Sequence, residues 1–243
     1  MIGLSGTISA SSLAEADIIR SHLPRHIRLT RNELGCLRFD AQVTDDPFVW
    51  QIDEVFLDEA AFQAHQTRNQ TSEWYQVTAG FARSFTKFDA QVQIRDEEAG
   101  DTFSVLSLLA ETFDGVREAR LLQNLREDGD LAHSLVADAG GAILGHLALS
   151  RLRAEHPALA LAPLAVLPRA QRRGIASALI GAAIARAQEQ YLVVLGEPDF
   201  YSRFGFNPVA WESPFAGPCL QARGHNLPLR NRISPAPAFE SLS

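Results

Sequence analysis

Residues 158–184 read ALALAPLAVLPRAQRRGIASALIGAAI. An apolar run carrying Pro163 gives way to two arginines and a glycine, then to a helical pattern. Ile175, Ala176, Leu179, Ile180, Ala183, Ile184 and Ala187 fall on one stripe. The stripe predicts a helix from about Arg173 to Gln190, packed on a sheet. The apolar stretch YLVVL (191–195) follows as a strand. Together they form a βαβ unit, whose crossover is right-handed. Proline has no N–H for a strand ladder, so Pro163 implies an edge or a bulge. A bulge would splay this strand from the next and leave backbone groups free for a ligand.

The turn between strand and helix carries the chemistry. The helix starts at the C-terminal end of the strand that closes at Val166. Its first N–H groups and its dipole attract anions. Gly174 lets the backbone approach closely, and Arg172 and Arg173 add positive charge. Spacing alone leaves two readings open, a pyrophosphate cradle and a capped surface helix. Pro163, the strand–turn–helix–strand order and the segment EPDFYSRFGF (197–206) favour the cradle.

Working outward, Ser134–Asp138 and Ala142–Leu149 read as strands joined at Gly140–Gly141, a hairpin signal. Helical segments are expected around Phe113–Leu125 and a short helix near Tyr201. The stretch IRDEEAGD (94–101) clusters acids without apolar periodicity and reads as a linker. This gives a first domain at 1–96, a linker at 97–101 and a second domain at 102–243.

The first domain reads as strand, helix, strand, strand, helix, strand. Ile2–Ile8 suits a strand. Ser12 could cap a helix through Ile18, Ile19, Leu23 and Ile27, with Pro24 bending or restarting it. Cys36–Val43 and Phe48–Phe56 alternate as a hairpin, Asp58 caps a helix through Phe62 and His65, and Phe85–Ile94 closes as one strand. This βαββαβ order implies a ferredoxin-like sheet with helices on one face.

Composition narrows the function. A formal net charge of -7 argues against nucleic acid as a partner. Cys36 and Cys219 form no CxxC pair, so neither a zinc ribbon nor a redox dithiol is expected. His22 and His26, spaced i and i+4, lack a supporting carboxylate motif, and no metal site is expected. Trp50 and Trp74 read as core. The N-terminus lacks the pattern of a signal peptide, and no apolar run approaches a membrane span of ~20 residues. A cytoplasmic protein without membrane partners is expected.

PLAVLPRAQRRGIASALI (163–180) together with VVLGEPDFYSRFGF (193–206) resembles the GNAT superfamily of acyl-CoA-dependent N-acyltransferases. The resemblance covers roughly residues 102–210 and implies a mixed-sheet domain using acetyl-CoA. The family's acyl-CoA turn, Q/R-x-x-G-x-G/A, reads here Gln171, Arg172, Arg173, Gly174, Ile175 and Ala176, with Ala at the last position. By this resemblance, the backbone of Leu164, Ala165 and Val166 would pair with the pantetheine arm. The N–H groups of Arg172–Ala176 would hold the pyrophosphate. Tyr201 occupies the position of the general acid that protonates the leaving thiolate. A small-molecule or peptide amine would be the acceptor, with loops at 111–130 and 211–232 shaping its pocket. No single general base stands out among Glu111, Glu118, Glu155, His146 and His156.

TRNELGCLRFDAQV (30–43) and WQIDEVFLDEAAFQAH (50–65) resemble the antibiotic-biosynthesis-monooxygenase (ABM) family. The shared positions are mainly Gly35, Cys36, Leu37, Glu54, Phe62 and His65. The resemblance implies a ferredoxin-like, dimeric α/β-barrel type of domain and a homodimer formed through it. Three functions follow from the two resemblances. The first is an N-acetyltransferase with an ABM-like dimerisation or sensing domain. The second is a cofactor-independent monooxygenase with an accessory acyl-CoA-binding domain. The third is a non-catalytic acyl-CoA-responsive binding protein.

Overall fold

A computed structural model describes residues 1–242 of the chain. It divides into two compact units, one built on Met1–Val92 and the other on Gln93–Asp138 and the residues from Ile143 onward.

The first unit runs β1 (Ile2–Ser9), α1 (Leu13–Arg31), β2 (Cys36–Val43), β3 (Val49–Phe56), α2 (Glu59–Gln70), α3 (Glu73–Val77) and β4 (Ala82–Asp89). The sheet order is β2-β3-β1-β4 with antiparallel pairing throughout, the ferredoxin-like arrangement. Both helix caps read from the sequence are made. Ser12 Oγ accepts from the Glu15 N–H at 3.3 Å, and Asp58 Oδ1 accepts from the Ala61 N–H at 2.9 Å. α1 runs through Pro24 as one helix, so Pro24 does not restart it. The carbonyl that Pro24 leaves unbonded belongs to exposed Arg20, where water can satisfy it. Ile8, Ile19, Phe39, Trp50, Phe56, Phe62 and Trp74 pack into one core between sheet and helices.

The second unit runs β5 (Gln93–Asp96), α4 (Thr102–Thr112), α5 (Arg117–Glu127), β6 (Leu131–Ala139), β7 (Ala142–Arg151), β8 (Arg153–Ala154) and β9 (Ala158–Val166). It continues with α6 (Ile175–Ala187), β10 (Tyr191–Leu195), α7 (Pro198–Tyr201), β11 (Asn207–Pro208), β12 (Leu220–Arg223) and β13 (Ile233–Ser234). Seven strands make one mixed sheet, β11-β12-β10-β9-β7-β6-β5, in which β9 and β10 are parallel.

Two local expectations are corrected. The strand expected over Phe85–Ile94 is two strands on two sheets. β4 ends at Asp89, and Gln93–Asp96 pairs with Leu135–Asp138 as the edge of the second sheet. Alternation is the same for either sheet, so only the distant partner separates them. Arg95 fixes the edge by ion pairs to Asp101 and Asp138. The helices expected around Phe113–Leu125 are α4 and α5, and Phe113 lies in the break between them. Asp114 there adopts φ 50°, which no helix accommodates.

Candidate active site

β9 and β10 run side by side over a short distance. Tyr191–Val193 pair with Ala158–Ala160, and beyond that point β9 continues alone to Val166. On its other edge β9 pairs with β7, with a register shift between Leu147 and Leu149. Ala162 and Pro163 stand opposite the single residue Ala148, which is the bulge that Pro163 implies. The edge of residues 161–166 that faces away from β7 is thus unpaired by β10.

The turn after β9 points its backbone at this opening. Gln171 Nε2 donates to the Val166 carbonyl at 3.1 Å and ties the turn to the strand end. Arg172 and Gly174 adopt φ 59° and 82°. These left-handed residues exclude Arg173 from the helix, so α6 begins at Ile175 and ends at Ala187, within the 173–190 read from the sequence. No side chain caps its N-terminus, and its first N–H groups are available. A Cβ on Gly174 would meet nothing within 4 Å, so the site needs this glycine for its conformation and not for space. Gly145 on β7 serves the opposite need. A Cβ there would lie 3.0 Å from the side chains of Ile175 and Leu179, so its absence lets the start of α6 sit close on the sheet.

A cleft of about 570 Å³ lies against this turn. Leu164, Val166, Gln171, Arg172, Gly174, Ile175 and Ala176 line it. Ala165 is buried, paired with His146 across the ladder, and Arg173 is exposed; neither side chain is among the lining. Thr112, Ser177, Phe200 and Arg203 also line the cleft and were not singled out from the sequence. The Thr112 hydroxyl is buried without a hydrogen-bond partner, so it is poised for a ligand atom. Arg203 lies over the Phe200 ring at 4.7 Å and donates to the Phe200 carbonyl at 3.2 Å. The segment FYSRFGF carried that signal. Thr112 had none, because it arrives from α4, some sixty positions upstream of the turn.

Tyr201 ends α7, its ring edge-on to Phe200 and Phe206 with centroids 5.0 and 5.6 Å away. A Cβ on Gly196 would fall 2.3 Å from this ring, so that glycine makes room for it. Burial pushes the phenol pKa up, which keeps the hydroxyl protonated. Of the five possible bases, none is among the residues lining the cleft. Glu111 is ion-paired with Arg169, and Glu155 and His156 are exposed. Glu118 is half-buried in the first turn of α5. His146 is fully buried, with Nε2 2.8 Å from Ser134 Oγ, and burial pushes its pKa down to about 3.

In the first unit, His65 joins two carboxylates. Its Nδ1 lies 2.9 Å from Glu33 and its Nε2 3.6 Å from Glu54. Burial pushes Glu54 up to about 8, and desolvation pushes the neighbouring His26 down to about 3. Arg68 donates to both Glu33 and Thr30. His22 and His26 sit on α1. Among the described residues no group of three or more His, Cys, Asp or Glu is arranged to hold a metal, and no helix is long and apolar enough to cross a membrane.

The comparison with known proteins follows this division. The model of the acetyltransferase (GNAT) family matches residues 102–206, and that of antibiotic biosynthesis monooxygenase matches residues 1–77. The uncharacterized N-acetyltransferase YhbS of Escherichia coli K12 is 36% identical over 124 residues, 48% of this chain and 74% of that protein. YjhQ of the same strain, likewise an uncharacterized N-acetyltransferase, is 30% identical over 131 residues, 50% of this chain and 72% of its own. The E. coli YhbS crystal structure in complex with CoA superposes with a TM-score of 0.57 at 26% identity, covering 64% of this chain and 95% of that one. A GNAT family acetyltransferase from Brucella melitensis, in complex with acetyl-CoA, gives 0.53 at 29% identity, covering 62% and 99%. The chain therefore belongs to the GNAT acetyltransferase family, and it carries an antibiotic-biosynthesis-monooxygenase domain before the acetyltransferase domain.

Proposed function

We propose that this protein is an acetyl-CoA-dependent N-acetyltransferase acting on a small-molecule or peptide amine in the cytoplasm. One observation carries the reading: β9 parts from β10 after Ala160 beside an uncapped helix start with left-handed Gly174. CoA and acetyl-CoA in the complexes of the two similar structures support it. The donor supplies an activated acetyl carbonyl. The acceptor nitrogen forms the new C–N bond, the C–S bond breaks, and the departing thiolate takes up a proton as the nitrogen gives one up.

The chain's residues divide this work. The open edge of Leu164, Ala165 and Val166 receives the pantetheine amides as a further strand would. The N–H groups from Arg172 through Arg173, Gly174 and Ile175 to Ala176 hold the pyrophosphate, with Gln171 fixing the turn and the arginines adding charge. Tyr201, kept protonated by burial, donates to the departing sulfur.

The roles are proposed for the two compact units, the first built on Met1–Val92 and the second beginning at Gln93, so the 97–101 stretch read as a linker lies inside the second unit. The first serves as a dimerisation or sensing module and makes the protein a homodimer. Light scattering on the full chain tests this: about twice 26.6 kDa is expected, and a strict monomer counts against it. Calorimetry with acetyl-CoA tests the main reading. Binding at micromolar strength, abolished by free CoA, is expected; a folded sample that binds neither would sink it.

A further inference from the structure

We propose that the acceptor is an amine carrying a compact apolar group, and that this group sits in a second cavity on the same strand splay. The inference rests on the acetyltransferase reading above. The cavity holds about 90 Å³. Its walls come from β9 at Ala160–Ala162 and β10 at Val193–Leu195, where the pairing of the two strands ends. Phe215, Leu220, Ile233 and Phe239 are among the rest of its lining. The donor cleft takes its wall from the same strand a few residues on, at Leu164 and Val166. A molecule in each cavity would therefore meet across the bulge at Pro163.

The lining decides the chemistry. Ser213 is the one polar side chain in it among the described residues, and its hydroxyl already accepts from the Phe215 N–H at 3.1 Å. No charged side chain lines it. A second ammonium, as in a polyamine or an amino sugar, would lose its hydration there without a carboxylate in return. A hydrocarbon group gains from the same transfer. Size sets the limit: a cavity of ~150 Å³ accepts benzene, so about 90 Å³ suits roughly three to five carbons. Leu220 and Ile233 are core residues and hold the floor rigid, whereas Phe215 is 43% exposed and stands at the mouth.

Calorimetry on the full chain first measures CoA binding. Alkylamines from ethylamine to hexylamine, and putrescine as a dication, are then titrated into CoA-saturated protein. Acetyl transfer from acetyl-CoA is followed in parallel as released thiol. Affinity and kcat/KM should both rise about fourfold per added methylene up to about five carbons and then fall. Putrescine should bind roughly tenfold more weakly than butylamine. Phe215→Ala, at the exposed mouth, should move the optimum to longer chains. A preference for putrescine, or a response flat in chain length while CoA binds, overturns the proposal and leaves the acetyltransferase reading standing. Failure of CoA to bind overturns that reading and this inference with it.

Discussion

Ala160 and Val193 are the last partners in the parallel ladder between β9 and β10. Both strands continue past this pair, so each exposes an edge that a regular sheet would have closed. An unpaired backbone edge at the centre of a sheet is costly unless water or a ligand satisfies it. Here the opening is bordered on one side by an uncapped helix start and on the other by an apolar cavity. The pair therefore marks where structural pairing stops and the proposed donor site begins.

Gly174 should be more important to the turn than either arginine. Its φ of 82° costs an L-residue about 1–2 kcal/mol, although a methyl group would clash with nothing. Gly174→Ala is expected to lower stability by about 1 kcal/mol and acetyl-CoA affinity roughly tenfold, because relaxing the strain re-aims the first N–H groups. Arg172→Ala should weaken binding without altering stability. Paired calorimetry and thermal melts separate the two effects, and a Gly174→Ala protein with unchanged affinity would remove the turn from the site.

Tyr201→Phe should lower kcat by about a hundredfold or more while leaving the KM for acetyl-CoA unchanged. Burial raises the phenol above its ordinary value of 10.0, so in the wild type its ionisation limits turnover only at still higher pH. The variant should lose that alkaline limb. Full turnover in Tyr201→Phe would show that another group protonates the sulfur.

Glu54 and His26 give the first unit opposite pH dependences. Glu54 titrates near 4.5 when unfolded and about 8 when folded, so the folded state holds the extra proton between those values. Stability contributed by its neutral form is complete below about 4.5 and is lost as pH rises through about 8, at up to about 1.4 kcal/mol per pH unit. His26 falls from 6.5 to about 3 on folding, so its contribution is lost as pH drops below 6.5. Urea titrations of wild type and Glu54→Gln should diverge progressively from pH 5 to pH 8, with the variant favoured at the alkaline end. A constant difference across that range would mean that Glu54 stays ionised in the fold.

The caps at Ser12 and Asp58, the stripe of α6 and the Gly140–Gly141 hairpin were legible because each depends on residues close in sequence. Pro163 was legible for a related reason: a residue without an N–H announces a broken ladder wherever it falls. The strand–turn–helix order around Gln171–Ala176 is legible too, although the apolar stripe carries the helix back to Arg173 and α6 begins at Ile175. Left-handed Arg172 is not a preference that arginine advertises. The line between β4 and β5 was not legible, since FDAQVQI alternates equally well for either sheet.

The sequence by itself determined the two folds and the strand–turn–helix in which the proposed anion site lies, because periodicity, caps and proline act through local geometry. Only the tertiary structure decided that β9 and β10 part after Ala160, that Thr112 and Arg203 reach the cleft, and that an apolar cavity opens beside Leu161 and Phe215. It also decided that Glu54 is buried against His65. Each of these depends on which distant segments meet, and burial, pairing and pKa are properties of that meeting, absent from any one stretch of chain.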